Sequence, residues 1–132
     1  MMNASITNSE WAVLECLWAS EPLTVTQLAH ALRSSVGWAK STSVTMANRM
    51  EQKGLLLCQE GGKAKLYRAA LTRADAEARL TRSFLDRVYS GSVGLMVSAM
   101  VSREALSPAE LAELRAVLDR AEAAGTADKK EG

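Results

Sequence analysis

Apolar positions recur at helical spacing in three successive stretches at the start of the chain. Trp11, Leu14, Leu17 and Trp18 form one stripe, with Val13 alongside. Thr7-Asn8-Ser9-Glu10 precedes it with the spacing of a capping box, in which the Thr7 hydroxyl accepts from the Glu10 amide and Glu10 reaches back. Glu21-Pro22 ends this helix. Thr24-Val25-Thr26-Gln27 repeats the capping pattern and opens a second helix holding Val25, Leu28 and Leu32. Ser34, Ser35 and Gly37 connect it to a third, running from Ser41 to Met50. Read as a helix, this third stretch puts Met46, Ala47 and Met50 on one face and Ser41, Thr42, Thr45 and Arg49 on the other. A merely solvated face would favour long Glu and Lys side chains. Short hydroxyls allow close approach to a phosphate backbone, and Arg suits bidentate pairing with guanine or phosphate. Three short helices with a hydroxyl-rich third predict a helix-turn-helix.

The period then changes. Gly54 is a good left-handed helix terminus, Leu55–Gln59 reads as a strand, Glu60-Gly61-Gly62-Lys63 as a turn, and Ala64–Arg68 alternates as a returning strand. Alone, such a hairpin is an ordinary solvated surface element. Directly after the third helix it is a wing, and Lys63 and Lys65 would meet phosphate beside the groove that the helix enters. The predicted fold is mainly α with a small β-hairpin wing, a winged helix-turn-helix followed by a C-terminal helical dimerisation region.

That later region begins at Thr72-Arg73-Ala74-Asp75, a further cap-like opening, and continues through Leu80, Phe84, Leu85 and Val88 to a break at Ser90-Gly91. Ser92–Ser102 is apolar nearly all round, so it must be buried on several sides. Ser107-Pro108-Ala109-Glu110 combines an N-cap Ser, Pro at the first helical position and Glu at the third, and it opens a last helix with Leu111, Leu114 and Leu118 on one stripe. About 50 residues of helix cannot easily bury a core of their own. Two chains interlocking resolve this better than folding back on the wing unit, with Leu80, Phe84, Val88, Leu95, Met96, Met100, Leu111, Leu114 and Leu118 as the contact set. The expected division is 1–71 for DNA binding, 72–124 for dimerisation and 125–132 as a flexible tail.

Composition narrows the function classes. The 132 residues are 48% hydrophobic and 23% charged, a globular and not a disordered balance. The formal net charge is only +1, but the charges are unevenly placed. Lys40, Arg49, Lys53, Lys63 and Lys65 lie between Arg33 and Arg68 against only Glu51 and Glu60, while acids gather later in the chain. Cys16 and Cys58 are far apart in sequence and form no CxxC pair, which fits a reduced compartment and argues against metal sensing. No signal segment or membrane-length apolar run is evident, so the expected location is the cytoplasm, without membrane insertion. An enzyme is disfavoured: the single histidine, His30, lies between Ala29 and Ala31, and no nucleophile with a base, carboxylate pair or phosphate-cradling loop is visible. No cofactor or metal is expected. The expected partner is double-stranded operator DNA, bound by a homodimer. Thr42, Ser43 and Thr45, with Ser41 beside them, would offer hydroxyls to bases or phosphate, Val44 would touch a thymine methyl, and Arg49, Lys40, Lys63 and Lys65 would contact phosphates. The competing class is a protein-interaction module without specific DNA readout, for which an exposed Trp38 would be the anchor.

Nearly the whole chain resembles the penicillinase and methicillin-resistance repressors and their copper-responsive relatives. The resemblance rests on Ile6-Thr7-Asn8-Ser9-Glu10-Trp11 with Leu17-Trp18, on Trp38 with Thr42, Thr45, Asn48 and Arg49, and on Lys53-Gly54-Leu55. It continues in Tyr67-Arg68, in Phe84 with Tyr89-Ser90-Gly91, and in Leu106–Leu111. It implies a dimeric winged-helix repressor on dyad-symmetric operators near resistance or metal-homeostasis genes, with a sensor-protease as a partner by analogy. Three departures stand out. The family's apolar residue is Ser43 here and its basic residue is Val44, so the operator read can differ. The C-terminal cysteine cluster of the copper-responsive branch is missing, since no cysteine follows Cys58. The Asn-Phe bond cut in proteolytically induced members corresponds to Ala99-Met100, so the cleavage region is present without that bond.

Overall fold

The computed structural model describes residues 6–104 and 106–131. Local hydrogen bonding fixes where the first helices begin. The Thr7 hydroxyl accepts from the Glu10 amide at 3.1 Å while the Thr7 amide donates to Glu10 Oε1 at 2.9 Å, opening α1, Asn8–Ser20. Thr24 and Gln27 make the same reciprocal pair at 3.1 and 2.9 Å and open α2, Val25–Val36. α3 spans Lys40–Lys53 and begins at Ala39 without a side-chain cap. It stops at Gly54, whose φ of 83° is left-handed, a conformation a Cβ would strain. The Leu55 amide then returns to the Met50 carbonyl at 2.9 Å, turning the chain into the hairpin.

Strands β1, Leu56–Gly61, and β2, Ala64–Ala69, pair antiparallel with Cys58 opposite Tyr67 and Gly61 opposite Ala64, so Gly62-Lys63 is a two-residue tip. The hairpin does not project alone. Leu23, between α1 and α2, exchanges both backbone hydrogen bonds with Tyr67, at 3.1 and 2.8 Å. This short third rung was not foreseen from the sequence, because a single residue carries no alternating pattern.

The core lies where these elements meet. Val13, Leu14 and Leu17 of α1, Leu28 and Leu32 of α2, Ala47 and Met50 of α3, and Leu55, Leu56 and Tyr67 of the hairpin are all buried in one cluster. Burying a side chain such as Leu contributes about 1.5–3 kcal/mol relative to exposure, so this cluster is the main term holding α3 and the wing in fixed relation.

α4, Arg73–Tyr89, follows with the Thr72 hydroxyl accepting from the Asp75 amide at 3.1 Å. The chain separates into two compact units, one ending at Phe84 and the other beginning at Leu85, so the division falls inside α4 and not at 71/72. The reason is packing: Leu71, Ala76 and Leu80 all join the core of the first unit. Ala76 and Leu80, four residues apart, share one helix face. Leu80 therefore packs, half-buried, against the core of the first unit, unlike the open apolar residues of the expected dimerisation set.

In the second unit α5, Val93–Glu104, follows a break at Ser90 and Gly91 with φ of 50° and 80°. Ser107 and Glu110 form the expected capping box at 3.1 and 2.8 Å and open α6, Pro108–Glu131. The expected flexible tail at 125 does not start there, because α6 runs through Gly125 to Glu131. Gly125 keeps a right-handed φ, and a helix glycine costs only about 1 kcal/mol relative to Ala. Gly132 lies outside the described residues. Within the single chain α5 is not buried on several sides: Val93 and Leu95 are 55% and 57% exposed, and Met100 and Val101 are also open. No described helix is long and apolar enough to cross a membrane.

Candidate nucleic-acid interface

α3 is two-faced. Ser43, Ala47 and Met50, spaced i, i+4, i+7, are fully buried against the first unit's core. Ser41, Thr42, Thr45 and Arg49 are on the opposite side, and together with half-buried Met46 they line one open depression along the helix. Its rim offers three hydroxyls and one guanidinium, and its floor a flexible thioether. Such a surface can hydrogen-bond to base edges and phosphate while making apolar contact at its centre.

The structure places the other expected residues unevenly. Ser43 does not belong to this face: it is 0% exposed, and its hydroxyl has no hydrogen-bond partner among the described groups. Its place on the buried i, i+4, i+7 row turns it to the core, so it cannot offer a hydroxyl to DNA. Val44 is half-buried at the edge of the helix. Lys40 is exposed at the first turn of α3, where backbone amides and the helix dipole add to its positive charge. Lys63 is exposed at the wing tip and Lys65 on β2, where Lys65 stands opposite Glu60 in the strand register. That neighbour offsets part of its charge.

Lys53, counted with the basic half of the chain, is committed inward. Its Nζ lies 2.6 Å from Glu10 Oε2, and Glu10 is only 3% exposed. Burial alone would push the Glu10 carboxyl up. The hydrogen bond from Lys53, the Thr7 amide and the ammonium charge outweigh burial and hold the group below the usual carboxylate range. The Glu10 cap was legible in the sequence, but its partner 43 positions later was not.

Trp38 packs half-buried against the core just before α3, which fixes the start of that helix and removes the exposed anchor of the protein-interaction reading. His30 is exposed on α2. Cys16 and Cys58 are half-buried free thiols beside the core, and burial pushes the Cys16 thiol up, away from the thiolate that metals bind. Among the described residues no group of three or more His, Cys, Asp or Glu side chains is placed to hold a metal ion.

Comparison with known proteins gives this geometry a context. The family model described as penicillinase repressor matches residues 6–120. The methicillin resistance regulatory protein MecI of Staphylococcus aureus (strain N315) is 24% identical over 115 residues, 87% of this chain and 94% of that protein. The penicillinase repressor of Bacillus licheniformis is 26% identical over 114 residues, 86% of this chain and 89% of that one. A solution structure of the DNA-binding domain of the repressor BlaI superposes with a TM-score of 0.49 at 21% identity, over 56% of this chain and 93% of that domain. The chain belongs to the penicillinase repressor family and is a DNA-binding transcriptional repressor.

Proposed function

We propose that the protein works as a homodimer on palindromic operator DNA, each protomer laying α3 into the major groove of one half-site. The observation that carries this is the open depression lined by Ser41, Thr42, Thr45, Met46 and Arg49. Thr42 and Thr45 hydrogen-bond to base edges or nearby phosphate, Arg49 pairs with guanine or phosphate, and Val44 and Met46 supply apolar contact for thymine methyls. Ser41 and Lys40 at the start of α3, with Lys63 and Lys65 on the wing, hold the backbone on either side. Repression is by occlusion: the dimer covers a promoter, here of resistance or of stress and metal-homeostasis genes, in the cytoplasm. The protein acts by binding and not by catalysis.

Dimerisation is supported by the apolar residues that the second unit leaves open, Leu95 at 57% and Leu118 at 59% exposed, with Val88, Met100 and Leu111 also uncovered. A monomer rarely exposes so many large apolar side chains in so few residues. Two linked half-site contacts then act together, and whatever separates the protomers releases the operator. A sensor-protease cutting near Ala99-Met100 would do so, since those residues lie within α5. The experiment is binding-site selection from a random duplex pool with the full chain at two salt concentrations. A recovered palindrome bound more weakly at high salt supports the reading. No enrichment at either salt overturns it and favours a protein partner.

A further inference from the structure

The side of α3 turned away from the core carries a row that the open depression does not cover. Ser43, Ala47 and Met50 are the buried row, and Ser41, Thr45 and Asn48 each stand two positions before one of them, about 200° round the helix. All three are exposed, and exposed Gln52 continues the row into the last turn. Asn48 is therefore nearer the outward midline of α3 than Thr42 or Met46, which stand one position before Ser43 and Ala47 and so lie on the flank. The Asn48 side-chain amide makes no hydrogen bond among the described residues.

Helix formation does not explain an asparagine at this place. Asn is a poorer helix former than Ala, Glu or Lys, because its short amide competes for backbone groups, and it is favoured at caps and turns. Asn48 is neither a cap nor turned to the core: it lies inside Lys40–Lys53 on the open side. A residue that local propensity disfavours is expected where a site needs its chemistry. A carboxamide offers a donor and an acceptor side by side. In the major groove adenine presents the complementary pair, N7 as acceptor and the N6 amino group as donor. Guanine presents two acceptors, N7 and O6, which suit the donor-only guanidinium of the neighbouring Arg49.

We propose that Asn48 is a specificity-determining residue that reads an adenine in each half-site, beside the guanine or phosphate that Arg49 meets. This rests on the major-groove reading of α3 above. From Ser41 to Asn48 the row rises about 10 Å, the length of about three base pairs, so Ser41, Thr45 and Asn48 can face successive bases of one half-site. Gln52 has the same amide but stands a further turn along, in the last turn of α3. Reading helices contact base edges from their N-terminal side, and Asn48 is the nearer of the two amides to it.

The test is binding-site selection with the full chain, with Asn48→Ala and with Gln52→Ala. Affinities then follow for the wild-type site carrying an adenine analogue with carbon in place of N7. Alanine at an exposed helix position keeps the fold, which thermal melting checks. Asn48→Ala should lose a preference for adenine of about tenfold at one position of each half-site, with preferences elsewhere kept. Gln52→Ala should keep the wild-type profile. The analogue at that position should weaken the wild type roughly fivefold and leave Asn48→Ala unaffected, a coupling that a merely structural role would not produce. Adenine preference retained in Asn48→Ala, or lost in Gln52→Ala instead, overturns the inference while leaving the major-groove reading intact. An even loss across all sequences also overturns it, since Asn48 would then hold phosphate. A wild-type chain that enriches no site overturns the major-groove reading and this inference with it.

Discussion

Lys53 Nζ lies 2.6 Å from Glu10 Oε2 and ties the last turn of α3 to the first turn of α1. Both carboxylate oxygens are engaged, one by the Thr7 amide and the other by Lys53, and Glu10 itself is buried. This pair anchors the last turn of α3, whose first turn has no side-chain cap.

Glu10→Gln should keep the capping geometry, since an amide oxygen still accepts, but lose the charge that meets Lys53. The expected cost at neutral pH is about 1.5–3 kcal/mol, the range for hydrogen bonds to charged groups. The pH profile follows from the lowered Glu10 pKa. The unfolded state takes up a proton first as pH falls, so the pair's contribution is complete above the ordinary carboxylate pKa of about 4.3. It is lost as pH drops from there through the lower folded value. Thermal melts of both proteins from pH 7 to pH 3 should therefore converge in acid. A gap that stays constant would mean that Glu10 is not the titrating group.

Ser43→Ala should stabilise the protein. The Ser43 hydroxyl is buried without a partner among the described residues, and burying an unsatisfied polar group costs about 1–3 kcal/mol. Alanine removes that cost and is also the better helix former. The expected gain is about 1 kcal/mol with operator affinity unchanged. A fall in affinity with unchanged melting would return Ser43 to the DNA face.

The contrast between Ser43 and its neighbours shows what the sequence could carry. Each capping box expected from T-x-x-E or T-x-x-Q spacing is formed, because such boxes are local and join residues only three positions apart. The winged helix was legible from period changes, and Ser41, Thr42, Thr45 and Arg49 were separable from Met50 by helical phase alone. Ser43 was misread because its polarity argued for the surface while its phase, shared with Ala47 and Met50, argued for the core. Phase won, since turning α3 to expose Ser43 would expose Met50 as well. The Lys53–Glu10 pair and the Leu23–Tyr67 rung join residues far apart in sequence, and nothing in local spacing encodes them.

On α3, Thr45→Ala and Arg49→Ala should each weaken selected-operator binding by about 1–3 kcal/mol and relax the preference at the bases they face. Lys63→Ala and Lys65→Ala should instead weaken binding evenly across sequences and each reduce the slope of log affinity against log salt by about 1. Lys65→Ala should have the smaller effect on affinity, given Glu60 across the strand. Titrations at three salt concentrations check both. Equal loss of sequence preference in the wing variants would mean that the wing reads bases.

Leu95→Asp and Leu118→Glu address the second unit. Both side chains are more than half exposed in the single chain, so a charge there leaves the fold of one protomer undisturbed. If these residues meet a second copy, each substitution places two symmetry-related carboxylates in an apolar contact, because a two-fold interface repeats every change. Sedimentation should then show monomers at concentrations where the wild type is dimeric. Single half-site affinity should hold, while affinity for the full palindrome falls about 10²- to 10⁴-fold as the second contact becomes intermolecular. Variants that remain dimeric with wild-type palindrome affinity would place the interface on another face. In that case the open apolar residues of α5 and α6 would need a different occupant.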